Sequence, residues 1–301
     1  MKFLKALGVS LLSFLLFLSL AIFGLAFMVH QTILNPGFIT AEINKLDLPA
    51  ITEEFIGEQV SGDSELVAEI MSGTVTDLEP WIGEQTHTIT YATYDYLLGK
   101  SQSLSVAIPL EPVKESLENN IRKVVLESPP PELAGASPAQ VEQFISEASQ
   151  QITSGMPSTF ELSESSLPTE VKTTMVQLRQ VIGYFNIGYW ALIGFMLLLV
   201  LGIVLINRNV KATTRSLGVN SLIYGVLEYA GIYAFNLIVE PQLMTAVSAG
   251  LPTAVQAWLP QMMADLLAPL QMFSIGLAAA GVVLIIVSFV YKPKPSLEPT
   301  G

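Results

Sequence analysis

Residues 184–206 read YFNIGYWALIGFMLLLVLGIVLI, a stretch that holds no Asp, Glu, Lys or Arg. A helix needs about 20 apolar residues to cross the roughly 30 Å hydrocarbon core of a bilayer. Three further apolar stretches are long enough, residues 6–29, 217–239 and 271–291. Only 13% of all residues are charged, about half the share in an average soluble domain. The sequence therefore predicts a mainly α-helical membrane protein with four transmembrane helices.

The basic residues near these spans all fall on one predicted side of the membrane. They lie before the first span, between the second and third, and after the fourth: Lys2, Lys5, Arg208, Lys211, Arg215, Lys292 and Lys294. The segment 240–270, between the third and fourth spans, has no Lys or Arg. Because loops rich in Lys and Arg stay in the cytoplasm, both termini, the loop 207–216 and the tail 292–301 are predicted to be cytoplasmic. The protein is thus predicted to be a multi-pass protein of the cell membrane, with residues 31–183 outside.

The first span, within residues 1–30, has two interpretations. Lys2 and Lys5 resemble the basic start of a signal peptide, and Ser19–Ala21 resembles a cleavage site. However, the apolar run is well beyond the usual 7–15 residues of a signal peptide. The sequence therefore favours a retained signal anchor, with a cleaved signal peptide as the alternative.

Residues 31–183 are predicted to form an acidic extracytoplasmic domain between the first and second spans. They hold 22 acidic and 7 basic residues, a net charge of −15. Such a block repels nucleic acid, so nucleic acid is not expected as a partner. The chain has no cysteine and no Asn-X-Ser/Thr acceptor, which favours a prokaryotic source. Residues 184–291 are predicted to form a bundle of three further transmembrane helices.

The extracytoplasmic domain is predicted to be mostly helical with a minor β component. Pro80, Pro112 and the pair Ser137-Pro138 are typical first turns of helices, and Gly99 is expected to end the first of them. Residues 104–109 and 159–162 alternate between apolar and polar side chains, which predicts two short strands able to pair.

A further helix is predicted to begin after Pro168 and to continue into the second span as far as residue 206. Its apolar residues recur at spacings of 4, 3, 4 and 3: Val171, Met175, Leu178, Ile182 and Phe185. This is the spacing of a coiled-coil seam. The seam is expected either to couple the domain to the bilayer as a continuous rod or, as the preferred interpretation, to pack on helices of its own domain.

The segment 240–270 is apolar, rich in methionine and broken by Pro252, Pro260 and Pro269. It is predicted to be an outer loop that either lies in the membrane interface or docks on the extracytoplasmic domain, and docking is favoured. Pairs of small residues four apart, Ala230/Ala234 and Gly276/Ala280, predict close helix packing.

Glu228 lies at the midpoint of the third span. An acidic side chain at that depth costs about 2.5–3.5 kcal/mol on insertion scales, so it is expected to face protein or water. Asn220, Tyr224 and Glu228 are spaced four apart and share a helix face. Ser19 of the first span falls at a matching depth, which predicts a hydrogen bond from Ser19 or from a trapped water to Glu228. These four residues are the candidate intramembrane polar site, either a proton or cation site or a structural hydrogen-bonding group.

No nucleophile–base set, zinc motif, phosphate-binding loop or calcium loop occurs in the sequence. The two histidines, His30 and His87, have no cysteine or HExxH spacing beside them. The sequence therefore predicts a non-enzymatic protein with no cofactor and no metal. Beyond the lipid bilayer, the expected partner is a protein bound through residues 31–183, or a second copy of the chain. The alternative function is a small transporter or channel subunit that uses Glu228.

Overall fold

A computed structural model of the protein describes residues 2–51, 54 and 65–291. The predicted tail 292–301 therefore lies outside the described residues. The described residues fall into two compact units. The membrane unit comprises those within Met1–Leu34, Tyr184–Val247 and Met263–Gly301, and the acidic unit those within Asn35–Gly183 and Ser248–Met262.

Helices dominate both units. In chain order the elements are α1 (Lys2–Gln31), α2 (Pro36–Ile43), α3 (Glu65–Leu97), β1 (Ser105–Pro109), α4 (Glu111–Glu127), a 3₁₀ turn (Pro131–Leu133), α5 (Pro138–Thr153), β2 (Thr159–Ser163), α6 (Thr169–Asn207), α7 (Val210–Ala234), a π-helical turn (Phe235–Val239), α8 (Glu240–Ser248) and α9 (Thr253–Val290).

Four helical segments are long and apolar enough to cross a membrane: Lys5–Gln31, Thr169–Asn207, Val210–Ser248 and Thr253–Val290. A helix satisfies its backbone hydrogen bonds internally, and lipid offers no other partners for them. The prediction of a mainly helical protein with four membrane spans is confirmed. The predicted long helix after Pro168 is also confirmed, as α6.

The connection predicted at residues 207–216 is much shorter in the structure. Helix α6 ends at Asn207 and α7 begins at Val210. The Asn209 side chain accepts a hydrogen bond of 2.9 Å from the Lys211 N–H, so α7 is capped as soon as the chain has turned. The prediction of a ten-residue loop was wrong because the polar composition of the segment is typical of a loop and does not reveal the helix cap.

The segment 240–270 is not a loop. It consists of α8, a short turn and the first part of α9, and Pro260 and Pro269 lie inside α9. A proline in a helix interior removes one hydrogen bond and disfavours the helix. Here Leu259 and Leu270, each next to one of these prolines, are buried, and such burial offsets that cost.

The core of the membrane unit is formed by side chains from α1, α6 and α7. Leu16, Leu20, Leu199, Ile203 and Tyr224 are buried together. Two residues of α9, Phe273 and Leu277, pack against them. All four spans therefore contribute to one apolar core.

Helices α7 and α9 approach each other at glycines rather than at the predicted small-residue pairs. A Cβ atom on Gly225 would lie 2.6 Å from the Ala278 nitrogen, and one on Gly218 would lie 2.9 Å from the Gly281 oxygen. Gly276 has open space beside it, and Ala230 is exposed. The predicted pairs were wrong because close packing follows a spacing of seven residues here, which a search for spacings of four misses.

In the acidic unit, Pro80 lies in the middle of α3 and does not begin a helix. The prediction was wrong because a proline is tolerated in the first turn of a helix but does not have to lie there. The predicted end of this helix at Gly99 is confirmed. Gly99 has a φ of +75°. The backbone N–H of Lys100 donates to the backbone oxygen of Asp95 at 2.8 Å, as in a Schellman C-cap.

The remaining predicted elements of the acidic unit are confirmed. Strands β1 and β2 pair antiparallel, with Val106 opposite Leu162, and Val106 is buried in a cluster with Tyr96. Pro112 lies in the first turn of α4. Helix α5 begins at Pro138, and the Ser137 N–H donates to the Gln140 side chain at 2.8 Å.

Of the segment 240–270, for which docking was predicted, only residues 248–262 pack within the acidic unit, and the remainder belongs to the membrane unit. The Trp258 indole N–H donates to the Glu42 backbone oxygen at 3.1 Å. The Glu54 carboxylate accepts from both the backbone N–H and the hydroxyl of Thr253, at 2.7 and 2.8 Å. A carboxylate at the start of α9 stabilises that helix end.

Candidate functional site in the membrane unit

The candidate site is built on the polar stripe of α7. Side chains four residues apart lie one above the other on a helix, and the structure brings Tyr224 and Glu228 into contact. The Tyr224 hydroxyl donates a hydrogen bond of 2.5 Å to Oε1 of Glu228. Tyr224 is buried, and Glu228 is partly buried. This pair is the centre of the site, which we call the Glu228 cluster.

A glycine of the first span forms the wall opposite this pair. A Cβ atom on Gly24 would lie 2.9 Å from the Tyr224 hydroxyl oxygen and still closer to Oε1 of Glu228. Gly24 is buried. Only a residue without a side chain leaves room for the carboxyl group there. Sequence reasoning missed Gly24, although a glycine at matching depth in an apolar span was the available signal.

The second carboxyl oxygen of Glu228, Oε2, is buried and has no hydrogen-bond partner among the described residues. A carboxyl group can take part in several hydrogen bonds, and this one makes a single bond. No Lys, Arg or His side chain within the described part of the chain pairs with it. The arrangement therefore leaves one oxygen of Glu228 without a hydrogen bond, at which the carboxyl group could hold a proton.

The other two predicted site residues are bonded elsewhere. The Ser19 hydroxyl donates to the Leu15 oxygen of its own helix at 2.8 Å, so the predicted bond from Ser19 to Glu228 is wrong. A serine in an apolar helix commonly bonds the carbonyl one turn back. The Asn220 side chain donates to the Ser13 backbone oxygen at 2.9 Å. Asn220 thus joins α7 to α1 but does not reach Glu228.

Aromatic rings enclose the tyrosine of the cluster. Phe17 meets the Tyr224 ring edge-on at a centroid distance of 5.6 Å, and Phe273 does so at 6.5 Å. Phe23 contacts Phe273 in turn, at 5.4 Å. Rings in these orientations attract each other through their quadrupoles. They hold Tyr224 in place beside the carboxyl group of Glu228.

Within residues 2–51, 54 and 65–291, no group of three or more His, Cys, Asp or Glu side chains is arranged to hold a metal ion. No protein-family model, no curated protein and no solved structure matches this chain. Its own residues therefore define its class, a multi-pass membrane protein with four helical spans and a second, acidic compact unit.

Proposed function

We propose that the chain is a non-enzymatic protein of the cell membrane whose acidic unit stands outside the cytoplasm and associates with a second copy. The basic residues around the spans support this orientation through the positive-inside rule. The four spans would act as an anchor, with residues 1–30 as a retained signal anchor. The absence of cysteine fits a prokaryotic envelope.

An exposed apolar face on α6 carries this proposal. Val171, Leu178 and Val181 are 42%, 46% and 61% exposed. On the neighbouring face of the same helix, Ile182 is buried and Met175 packs against the cluster around Tyr96. The predicted seam is therefore split: one side packs on its own unit, as the preferred interpretation held, and the other has no partner among the described residues.

The exposed side has the spacing of a pairing surface. Val171, Thr174, Leu178 and Val181 follow one another at steps of 3, 4 and 3 residues, so they form one stripe on the helix. A surface of this kind in a second copy is complementary to itself about a two-fold axis. Membrane anchoring keeps two copies parallel and raises their local concentration.

Charge does not oppose contact at this stripe. Although residues 31–183 carry a net charge of −15, the segment 169–183 holds one acidic residue, Glu170, and two basic residues, Lys172 and Arg179. The repulsion between two acidic units is therefore smallest where α6 would meet α6.

Disulfide cross-linking in membranes tests the pairing, because the chain has no native cysteine. Leu178→Cys should give a cross-linked dimer under mild oxidation. Gln180→Cys, also exposed but on another face of α6, is the matched control and should stay monomeric. Leu178→Asp should dissociate the dimer without unfolding the chain. Equal cross-linking at both positions, or none at Leu178→Cys, would show that α6 does not pair with itself.

Single cysteines also test the orientation. With a membrane-impermeant maleimide on intact cells, Ser137→Cys should react, whereas Val210→Cys should react only after permeabilisation. Both side chains are exposed and uncharged, so neither substitution alters the charge pattern. The reverse labelling would place the acidic unit in the cytoplasm.

A second candidate function, a small transporter or channel subunit, is favoured by the unpartnered Oε2 of Glu228. A carboxyl group inside a membrane is a common carrier of protons or cations. Proton flux into liposomes that contain the full chain tests it. Flux that Glu228→Gln abolishes, in a protein that still folds, would establish transport. Absence of flux in the unaltered chain would exclude it.

A further inference from the structure

A second polar region of the membrane unit lies at the end where α1 and α7 begin. It is an open cavity of about 880 Å³, lined by the first part of α1, the end of α6 and the first part of α7. Three basic side chains line it, Lys5, Lys211 and Arg215. Its volume is within the range of sites that hold small ligands.

The charge of this cavity is uncompensated. None of its lining residues is acidic. Within the described residues, no carboxylate forms an ion pair with any of the three basic side chains. Lys5 donates to the backbone oxygen of Asn207 at 3.0 Å, which is a neutral acceptor. The positive end of the α7 helix dipole adds to the same field.

An independent observation points to a ligand with hydrogen-bond acceptors. The side-chain nitrogen of Asn207, which lines the cavity, is buried and has no acceptor in the described part of the chain. A buried donor without an acceptor costs about 1–3 kcal/mol. An anionic oxygen in the cavity would accept from this nitrogen once the Asn207 amide group turns towards the cavity.

The rest of the lining combines small polar side chains with four apolar ones. Ala6 and Val9 of α1 and Val219 of α7 supply apolar wall. The α1 lining extends from Lys5 to Ser13, about 12 Å along the helix at 1.5 Å per residue. The candidate first span begins at Lys5, so the basic end lies at the depth of lipid headgroups and the apolar wall beside acyl chains.

We propose that this cavity binds a phosphate-bearing anion and that its apolar wall selects one carried on acyl chains, an anionic phospholipid. Lys5, Lys211 and Arg215 supply the positive charge, and the Asn207 side chain donates a hydrogen bond to a phosphate oxygen. Val9 and Val219 contact the acyl chains. This site is independent of the pairing surface on α6 and of the Glu228 cluster.

Native mass spectrometry of the full chain in detergent tests the proposal, with phosphatidylglycerol and phosphatidylcholine of identical acyl chains as probes. The anionic lipid should be retained preferentially. Arg215→Gln and Lys211→Gln should each lower its retention about five-fold, the effect of roughly one basic residue near an anionic surface. Both side chains are exposed, so neither substitution removes a core contact. Higher salt should weaken the binding as well.

Arg208→Gln is the matched control. It removes the same charge from the same connection, but Arg208 does not line the cavity, so retention should stay unchanged. Asn207→Leu should weaken lipid binding by removing the buried donor. Equal loss in Arg208→Gln and Arg215→Gln, or equal retention of the two lipids, would overturn the site. Binding of inorganic phosphate with no preference for phosphatidylglycerol would overturn the selection of an acyl chain.

Discussion

In the acidic unit, Leu117, Ile121 and Ile145 fill the space between α4 and α5, and all three are buried. In the membrane unit, α7 and α9 touch through glycine backbones, at Gly218 and Gly225. Water drives large apolar side chains together, whereas lipid does not distinguish a leucine in an interface from one facing acyl chains. Helices in the bilayer therefore gain more from close backbone contact, and helices in water gain more from buried side-chain volume.

Both units contain buried polar atoms without a hydrogen-bond partner among the described residues, but Asn120 of the acidic unit and Glu228 of the membrane unit differ in how far their hydrogen bonds are satisfied. In the acidic unit the Asn120 side chain donates to the Asp77 carboxylate at 2.7 Å and to the Ser116 oxygen at 2.9 Å. In the membrane unit one oxygen of Glu228 has no partner among the described residues. The first arrangement is that of a structural residue whose hydrogen bonds are satisfied. The second keeps a position open, which is the reason to look for function at Glu228.

The largest effect is expected from removing side-chain volume in the acidic unit. Ile121→Ala should destabilise that unit by about 2–5 kcal/mol, because a buried isoleucine leaves a cavity. Hydrogen exchange of the α4 amides in the full chain measures it. Leu126→Ala, on the same helix but 58% exposed, should stay within about 0.5 kcal/mol. Similar losses for both variants would contradict the proposed core.

A smaller effect is expected from adding volume in the membrane unit. Gly225→Ala should cost about 1–3 kcal/mol, because its Cβ would press on the α9 backbone. Thermal unfolding in detergent measures it. The control is Gly231→Ala on the same helix, where nothing lies within 4 Å of an added Cβ. That substitution should be neutral or slightly stabilising, and a loss equal to that of Gly225→Ala would remove the contrast between the units.

A still smaller effect on stability is expected at Glu228. Glu228→Gln keeps an oxygen that can accept from Tyr224, so the unfolding free energy should change by less than about 1 kcal/mol. Thermal unfolding of the full chain in detergent measures this change. A loss of stability well above about 2 kcal/mol would mean that the carboxyl group itself holds the helices together. Glu228 would then be a structural residue, as Asn120 is.

The smallest effect is expected on the surface of the acidic unit. Hydrogen bonds of 2.7 and 2.6 Å from the Arg122 guanidinium lower the pKa of Glu142 below its ordinary value. The pair should therefore stabilise the fold above the ordinary glutamate pKa of about 4.3, and this contribution should disappear as the pH falls through the lowered value. NMR titration of the Glu142 carboxyl carbon should show its pKa rising in Arg122→Gln. An unchanged pKa would show that the pair does not persist in solution.

Most of the features that were predictable from the sequence depend on one stretch of chain. The length and apolarity of the spans follow from composition alone, since lipid demands both of any crossing helix. The cap at Ser137, the end at Gly99 and the alternation in β1 and β2 are equally local. Within the Glu228 cluster, the contact between Tyr224 and Glu228 was predictable for the same reason, because a spacing of four residues on a helix brings two side chains together.

Features that depend on what lies across an interface were not predictable. Pro80 and Pro260 follow the rules for helix starts and loops, yet both lie inside helices. Ser19 has the right depth to reach Glu228, but its hydroxyl bonds its own helix, and Gly24 faces the carboxyl group instead. The sequence determined which segments can cross a bilayer, where several helices begin or end, and which polar residues share a face. Only the tertiary structure decided which faces meet, because helix packing depends on rotations and distances that composition and spacing do not specify.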